Sequence, residues 1–182
     1  VGRTGAGKSS LLMCLFRLVE PSINSSLYID NIDCLKLGLK ELRSKISIIP
    51  QDPVLFSGTI KFNLDPFNIN NDYDIINILK KCQLYDKLKT GCNSDNELDI
   101  LNYHVTENGD NFSNGQKQLI CIARAFLQNN KILVLDEATA SIDQKTDKLI
   151  QELIRNDFKS KTVICIAHRL QTIIDYDRLI VL

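Results

Sequence analysis

The sequence predicts an α/β fold with a mostly parallel sheet, and three observations carry that prediction. KILVLDEA (131–138) and TVICIAH (162–168) are almost continuous apolar runs, typical of parallel strands covered on both faces. Helical periods alternate with such runs along the chain, the pattern of strand–helix units. A Gly-rich loop, VGRTGAGKSS (1–10), leads directly into one of those helical periods. With 182 residues, 44% of them hydrophobic and 24% charged, the chain is long enough for one domain with a sizeable core.

Taken in order, SLLMCLFRLVE places Leu11, Leu12, Leu15 and Leu18 at helical spacing, and Pro21 ends that helix. SLYID (26–30) alternates as a strand. KISIIPQDP (45–53) begins as an apolar strand, and its two prolines force the continuation into an extended loop. Residues 72–89 carry Ile75, Ile76, Leu79, Cys82 and Leu88 on one side of a helix, and the Asn- and Asp-rich stretch 91–102 reads as a surface loop. Ser113 is a candidate N-cap for a helix bearing Leu119, Ile122, Ala123 and Phe126. An amphipathic helix over 144–158 separates the two buried strands, and DRLIVL at the end reads as a further strand.

Composition excludes several function classes. Lys plus Arg and Asp plus Glu both total 22, so the net charge is zero and no general electrostatic grip on nucleic acid is expected. The six cysteines form no C-x-x-C pair and have no His at metal-ligand spacing, so all read as reduced thiols, and Cys14, Cys121 and Cys165, in apolar stretches, as small hydrophobes. No apolar run approaches the roughly 20 residues that cross a bilayer.

The opening loop matches G-x-x-x-x-G-K-[ST] through Gly2, Gly7, Lys8 and Ser9. Backbone N–H groups over Gly2, Arg3, Thr4, Gly5, Ala6, Gly7, Lys8, Ser9 and Ser10 can cradle phosphates at a helix N-terminus. Lys8 reaches for the β- and γ-phosphates and Ser9 holds Mg²⁺ through its hydroxyl. At the end of the apolar strand ILVLDE, Asp136 stands at the usual Mg²⁺ contact of a P-loop NTPase, and Glu137 is placed to accept a proton from an attacking water.

Stretch 111–116 of NFSNGQKQ resembles the LSGGQ signature of ABC-type ATPases, with Ser113, Gly115 and Gln116 at the matching positions and Asn114 in place of a Gly. Further motifs are similar to those of the same family: Gln51 in IIPQDP (Q-loop, toward Mg²⁺), His168 in IAHRL (switch histidine, toward the γ-phosphate), and Ser141 and Asp143 in ATASID (D-loop). TENGD (106–110) resembles the exporter segment that touches coupling helices, and LFSGTIKFNLDPFN (55–68) resembles the wording of subfamily C exporters. Asn111 and Phe112 stand in place of the commonest Leu, and these departures, with Asn114, resemble the second nucleotide-binding domain of the multidrug resistance-associated proteins.

The resemblance implies a RecA-like P-loop core over 1–53 and 126–182 with an inserted helical subdomain over 54–125. It also implies that a strand and a small β-subdomain bearing an adenine-stacking aromatic precede Val1. The implied activity is ATP hydrolysis coupled to transmembrane export, with ATP and Mg²⁺ as cofactors. Lys8, Gln51, Glu137 and His168 would act on one ATP, with Ser9, Gln51 and Asp136 holding Mg²⁺, while Ser113, Gly115 and Gln116 serve the ATP of a partner. The implied partners are a second nucleotide-binding domain of the same polypeptide and the transmembrane domains, at the cytosolic face of a membrane. The alternative in this family is a nucleotide sensor that gates a channel. The 182 residues alone are expected to be a weak or inactive enzyme.

Overall fold

A computed structural model describes residues 1–22, 24–92, 96–138, 142–167 and 173–182. After the Gly-rich loop come α1 (Lys8–Leu15), a two-residue hairpin of β1 (Tyr28–Ile29) and β2 (Ile32–Asp33), α2 (Leu39–Arg43) and β3 (Ile46–Ile49). The middle of the chain holds β4 (Gly58–Thr59), α3 (Ile60–Leu64), α4 (Asp72–Lys81), α5 (Tyr85–Thr90) and β5 (His104–Val105). The last third holds α6 (Asn114–Gln128), β6 (Ile132–Asp136), α7 (Gln144–Asp157) and β7 (Thr162–Ile166).

The expected parallel sheet is present, in the order β3-β6-β7. Its register pairs Ile49 with Leu135 and Asp136 with Ile166, so all three strands finish at one end. Side chains alternate between the faces. Ile46, Val134 and Ile166 pack with Leu12 of α1, Phe16 just after it and Leu42 of α2. Ile49, Leu133 and Leu135 pack on the opposite face with residues of α3, α4, α6 and α7. The sheet is therefore the middle of three layers, which is why both buried strands lack a polar alternation. Burial pushes the Cys82 thiol up to about 12, and it also raises Cys121 and Cys165. All six cysteines are free, and these three behave as core groups rather than nucleophiles.

Several expectations about individual elements change. α1 stops at Leu15, well before Pro21, because Arg17 enters the left-handed region (φ 48°) and donates to Cys34 O at 3.2 Å and Leu37 O at 2.8 Å. Leu18, beyond the helix end, is exposed, and so is Leu11 within α1. The helical period over 72–89 is two helices, broken where Gln83 adopts φ 55°, yet Ile75, Ile76, Leu79, Cys82 and Leu88 are all buried. Part of the expected surface loop 91–102 is a 3₁₀ turn, Glu97–Asn102, that buries Ile100 and Leu101 beneath a polar exterior. Of the strand over 26–30, the ladder takes only Tyr28 and Ile29. The end of the chain is not a strand by its bonding, although Val1 and 180–182 exchange two backbone bonds, Val1 N to Ile180 O at 2.7 Å and Leu182 N to Val1 O at 2.9 Å.

Candidate functional site

The Gly-rich loop owes its shape to two glycines in the left-handed region, Gly5 at φ 83° and Gly7 at φ 98°, a conformation a Cβ penalises. Gly7 caps α1 with no side-chain bond, and no acid stands in the helix's first turn. The first-turn N–H groups and the positive pole of α1 therefore face the loop. Gly2 is required for a different reason: a Cβ there would lie 2.6 Å from Leu182 O. Lys8, only 8% exposed, donates to Gly2 O at 3.0 Å and Arg3 O at 3.1 Å, which folds its ammonium over the loop. Arg3, Thr4, Gly5, Ala6, Ser9 and Ser10 are exposed around it.

Asp136 ends β6 at the same edge of the sheet. Its carboxyl is pushed above the usual carboxylate range by burial and by the neighbouring Glu137, and the Lys8 ammonium opposes that shift. The Lys8 ammonium thus lies near enough to the strand end to act on Asp136. Glu137 follows in the left-handed region at φ 48°, with its N–H bonded to Ile166 O of β7 at 3.0 Å. Gln51 is exposed and leaves β3 just beyond Pro50, at the strand end that adjoins Asp136 through the Ile49–Leu135 pairing. His168 follows β7 by two positions and, like Ser141, lies outside the described residues.

Ser113, Gly115 and Gln116 start α6. Ser113 forms a capping box with Gln116, its N–H bonding Gln116 Oε1 at 2.9 Å while its hydroxyl accepts the Gln116 N–H at 3.3 Å. The Lys87 ammonium also donates to Gln116 Oε1, so this carboxamide oxygen is engaged within the chain. Gly115 is pressed on the start of α7, where a Cβ would come within 2.9 Å of Thr146 Cγ2. Gln116 is thus held from the α5 side and Gly115 from the α7 side.

A second composite surface lies on the middle elements. β4 pairs with β5, and Gly109 (φ 66°) approaches Leu55 so closely that a Cβ would lie 2.7 Å from Leu55 Cδ1. Segments 55–59 and 104–110 are thereby joined. Asn111 fastens the second of them, accepting from Thr106 N at 3.2 Å and Thr106 Oγ1 at 3.0 Å and donating to His104 O at 2.8 Å. In and next to the first segment Phe56 and Val54 expose apolar side chains, and further along the chain so do Phe67 and Ile69, from 55% to 81%. Asn63 holds Phe56 there through both backbone groups, at 2.9 and 2.7 Å.

Two residues escape motif reading. Arg124 of α6 donates to Val54 O at 2.8 Å and to Asn63 O at 2.5 Å, tying 54–63 to the helix. Gln118 of the same helix is 1% exposed. The signal that could have found it is a polar residue on the apolar stripe of an amphipathic helix, since Gln118 shares a face with Cys121 and Ile122.

A family model described as ABC transporter matches residues 1–140. Over all 182 residues the chain is 51% identical to ABC transporter C family member 9 of Arabidopsis thaliana and 55% identical to ABC transporter C family member 3 of Dictyostelium discoideum. It is 53% identical to ATP-binding cassette sub-family C member 2 of Mus musculus. The chain spans only 12%, 12% and 11% of the lengths of these three relatives. Its fold superposes on a bacterial Atm1-family ABC exporter solved with ATP bound at TM-score 0.86 and 33% identity, covering 100% of this chain and 31% of that one.

Proposed function

Because the chain belongs to the ABC transporter family and has the features of a subfamily C nucleotide-binding domain, we propose that it binds MgATP and hydrolyses it to drive export through a membrane. Domains of this family bind and hydrolyse ATP, and what is proposed here is the activity of this chain and the roles of its residues. What supports the reading is that Asp136, at the end of β6, lies near enough to the buried Lys8 of the Gly-rich loop for the ammonium to pull its carboxyl down against burial.

The donor set fits the substrate. The exposed loop and the uncapped first turn of α1 offer N–H groups to phosphate oxygens, and Lys8 adds the cation. Ser9, Gln51 and Asp136 offer hydroxyl, carboxamide and carboxylate oxygens, the hard ligands that suit Mg²⁺. Bound there, Mg²⁺ would neutralise charge developing on the transferred phosphoryl group. Glu137 takes the proton of the attacking water, and its carboxylate is held at the strand end by its own backbone bond to Ile166. His168 is assigned to the γ-phosphate. Ser113 and Gly115, engaged on the α6–α7 side, are assigned to the ATP of a second nucleotide-binding domain of the same polypeptide, and two nucleotides would then hold the closed pair together.

The core is placed at 1–53 and 126–182 and the helical subdomain at 54–125, with α6 running across that boundary. The exposed apolar residues around Phe56, next to the joined segment 106–110, are assigned to the transmembrane domains. Among the described residues no helix is long and apolar enough to cross a membrane. The domain is assigned to the cytosolic face, with the spans elsewhere in the transporter. The test is Glu137→Gln in the full transporter: ATP binding persists, ATP becomes trapped and turnover stops. Hydrolysis at the unmodified rate rejects the assignment.

A further inference from the structure

A carboxamide nitrogen carries two hydrogens, and Gln118 spends both of them on the active-site edge. Its Nε2 donates to Pro50 O at 2.7 Å and to Ala138 O at 2.7 Å. Pro50 immediately precedes Gln51, and Ala138 immediately follows Glu137. One side chain on α6 therefore grips the neighbours of two candidate site residues that are 86 positions apart in sequence, 51 and 137. The oxygen of the same carboxamide, Oε1, is buried and has no hydrogen-bond partner among the described residues. An unmade bond of this kind carries a desolvation cost, and it persists where the rest of the side chain is needed in place.

Glu137 explains why a grip is needed. A non-glycine residue in the left-handed region is held there only when its surroundings over-determine it. Two ties flank Glu137: its own N–H on Ile166 O at 3.0 Å, and the Ala138 carbonyl on Gln118. Without the second tie, the Glu137–Ala138 peptide can relax toward the ordinary right-handed or extended regions and carry the carboxylate with it.

The geometry points to Gln118 as a positioning residue for hydrolysis, which fixes the backbone of Glu137 and the exit of Gln51 relative to α6. It acts through these neighbours and does not itself touch nucleotide. Since α6 also begins with Ser113–Gln116, the same carboxamide links the stretch assigned to a partner's ATP with the groups assigned to this chain's own ATP. The kinetic consequence rests on the ATPase reading above, whereas the backbone consequence does not.

The experiment uses the full polypeptide that carries this domain, with Gln118→Met, which keeps the side-chain volume and removes both donors. Gln118→Asn, which keeps the donors but shortens their reach, takes its place if the Met variant does not fold. Leu88→Ala, in the fully buried core of α5, is the control for general destabilisation. The expected result has two parts: kcat for MgATP falls at least tenfold with KM within twofold, and the Glu137 amide exchanges at least tenfold faster while the Ile122 amide of α6 does not. Unchanged kcat and unchanged Glu137 exchange in a folded variant overturn the proposal, as does Leu88→Ala reproducing the same split. If the unmodified protein fails to hydrolyse MgATP, the ATPase reading falls, and Glu137 exchange alone decides whether Gln118 positions that backbone.

Discussion

Gly115 stands so close to Thr146 that a Cβ on the glycine would lie 2.9 Å from the threonine methyl and 3.3 Å from Ile142 Cγ2. The start of α6 is thus pressed onto the start of α7, and the glycine is there for space, not for an unusual backbone angle. Two effects oppose each other in Gly115→Ala. The helix gains roughly 1 kcal/mol of propensity, and overpacking costs roughly 1–3 kcal/mol. The net expectation is a loss of up to about 2 kcal/mol. In a Thr146→Ser background, which deletes the offending methyl and keeps the hydroxyl, Gly115→Ala becomes neutral or stabilising. Urea titration of the four proteins in this cycle measures the coupling, and equal effects in both backgrounds would show that the contact is not the cause.

Asp136 predicts a pH-dependent gain from a disabling substitution. Burial and Glu137 raise its carboxyl, against the pull of Lys8. An acid whose folded pKa lies above its unfolded value is disfavoured in the native state once it ionises, so it lowers stability at neutral pH. That penalty fades as pH falls through the raised folded pKa and is gone below the unfolded value of about 4. Asp136→Asn should accordingly raise Tm at pH 7, with the increment shrinking to nothing near pH 4, while MgATP binding is lost. A Tm increment that is flat across that range would show that ionisation of Asp136 is not its source.

The contrast between these two sites shows what the letters of the sequence carried and what they did not. The parallel sheet was legible because ILVL and TVICI are apolar without alternation, too short for a helix and flanked by polar residues, as a strand covered on both faces must be. The loop around Lys8 was legible because its glycines and its lysine fall within one short stretch. The tight packing of Gly115 on Thr146 was not, since the two are 31 positions apart in sequence and a glycine in a helix start looks like a simple break. Ile100 and Leu101 were misread because their neighbours are Asn, Asp and Glu, and a single 3₁₀ turn hides two side chains without a period long enough to detect. The left-handed Glu137 has no sequence signature, because the tertiary bonds on either side of it create that conformation.

Asn111 makes a local prediction. It bonds Thr106 through backbone and side chain and His104 through its carbonyl, and Thr106 Oγ1 in turn accepts the Asn111 N–H at 3.2 Å. A net hydrogen bond contributes about 0.5–1.5 kcal/mol, less where water replaces the partner. Asn111 is half-buried and Thr106 exposed, so Asn111→Ala is expected to cost about 1–2 kcal/mol in total. Amide exchange should accelerate over 104–110 and stay unchanged in α6 beyond its first turn. Acceleration that spreads evenly over the whole chain would mean that Asn111 supports global stability rather than this segment.

Arg124 ties the middle elements to α6, and replacing it by another cation is not conservative. Its guanidinium reaches Val54 O through Nη1, Asn63 O through Nε and Asn63 Oδ1 through Nη2, three acceptors spread around one planar fork. Burial lowers its pKa, yet a guanidinium remains charged at any physiological pH. A lysine at this position has one nitrogen at the tip of a flexible stem and cannot meet acceptors on two segments at once. Arg124→Lys therefore leaves at least one of the Val54 and Asn63 carbonyls without its partner, at a cost of about 1–3 kcal/mol. Asn63 is also the residue that clamps Phe56, so the loss travels to the exposed side chains of Val54 and Phe56. The variant should unfold at lower denaturant concentration with an unchanged m-value and show faster amide exchange at Phe56. A midpoint within error of the parent protein would mean that water or a neighbouring donor already satisfies these carbonyls.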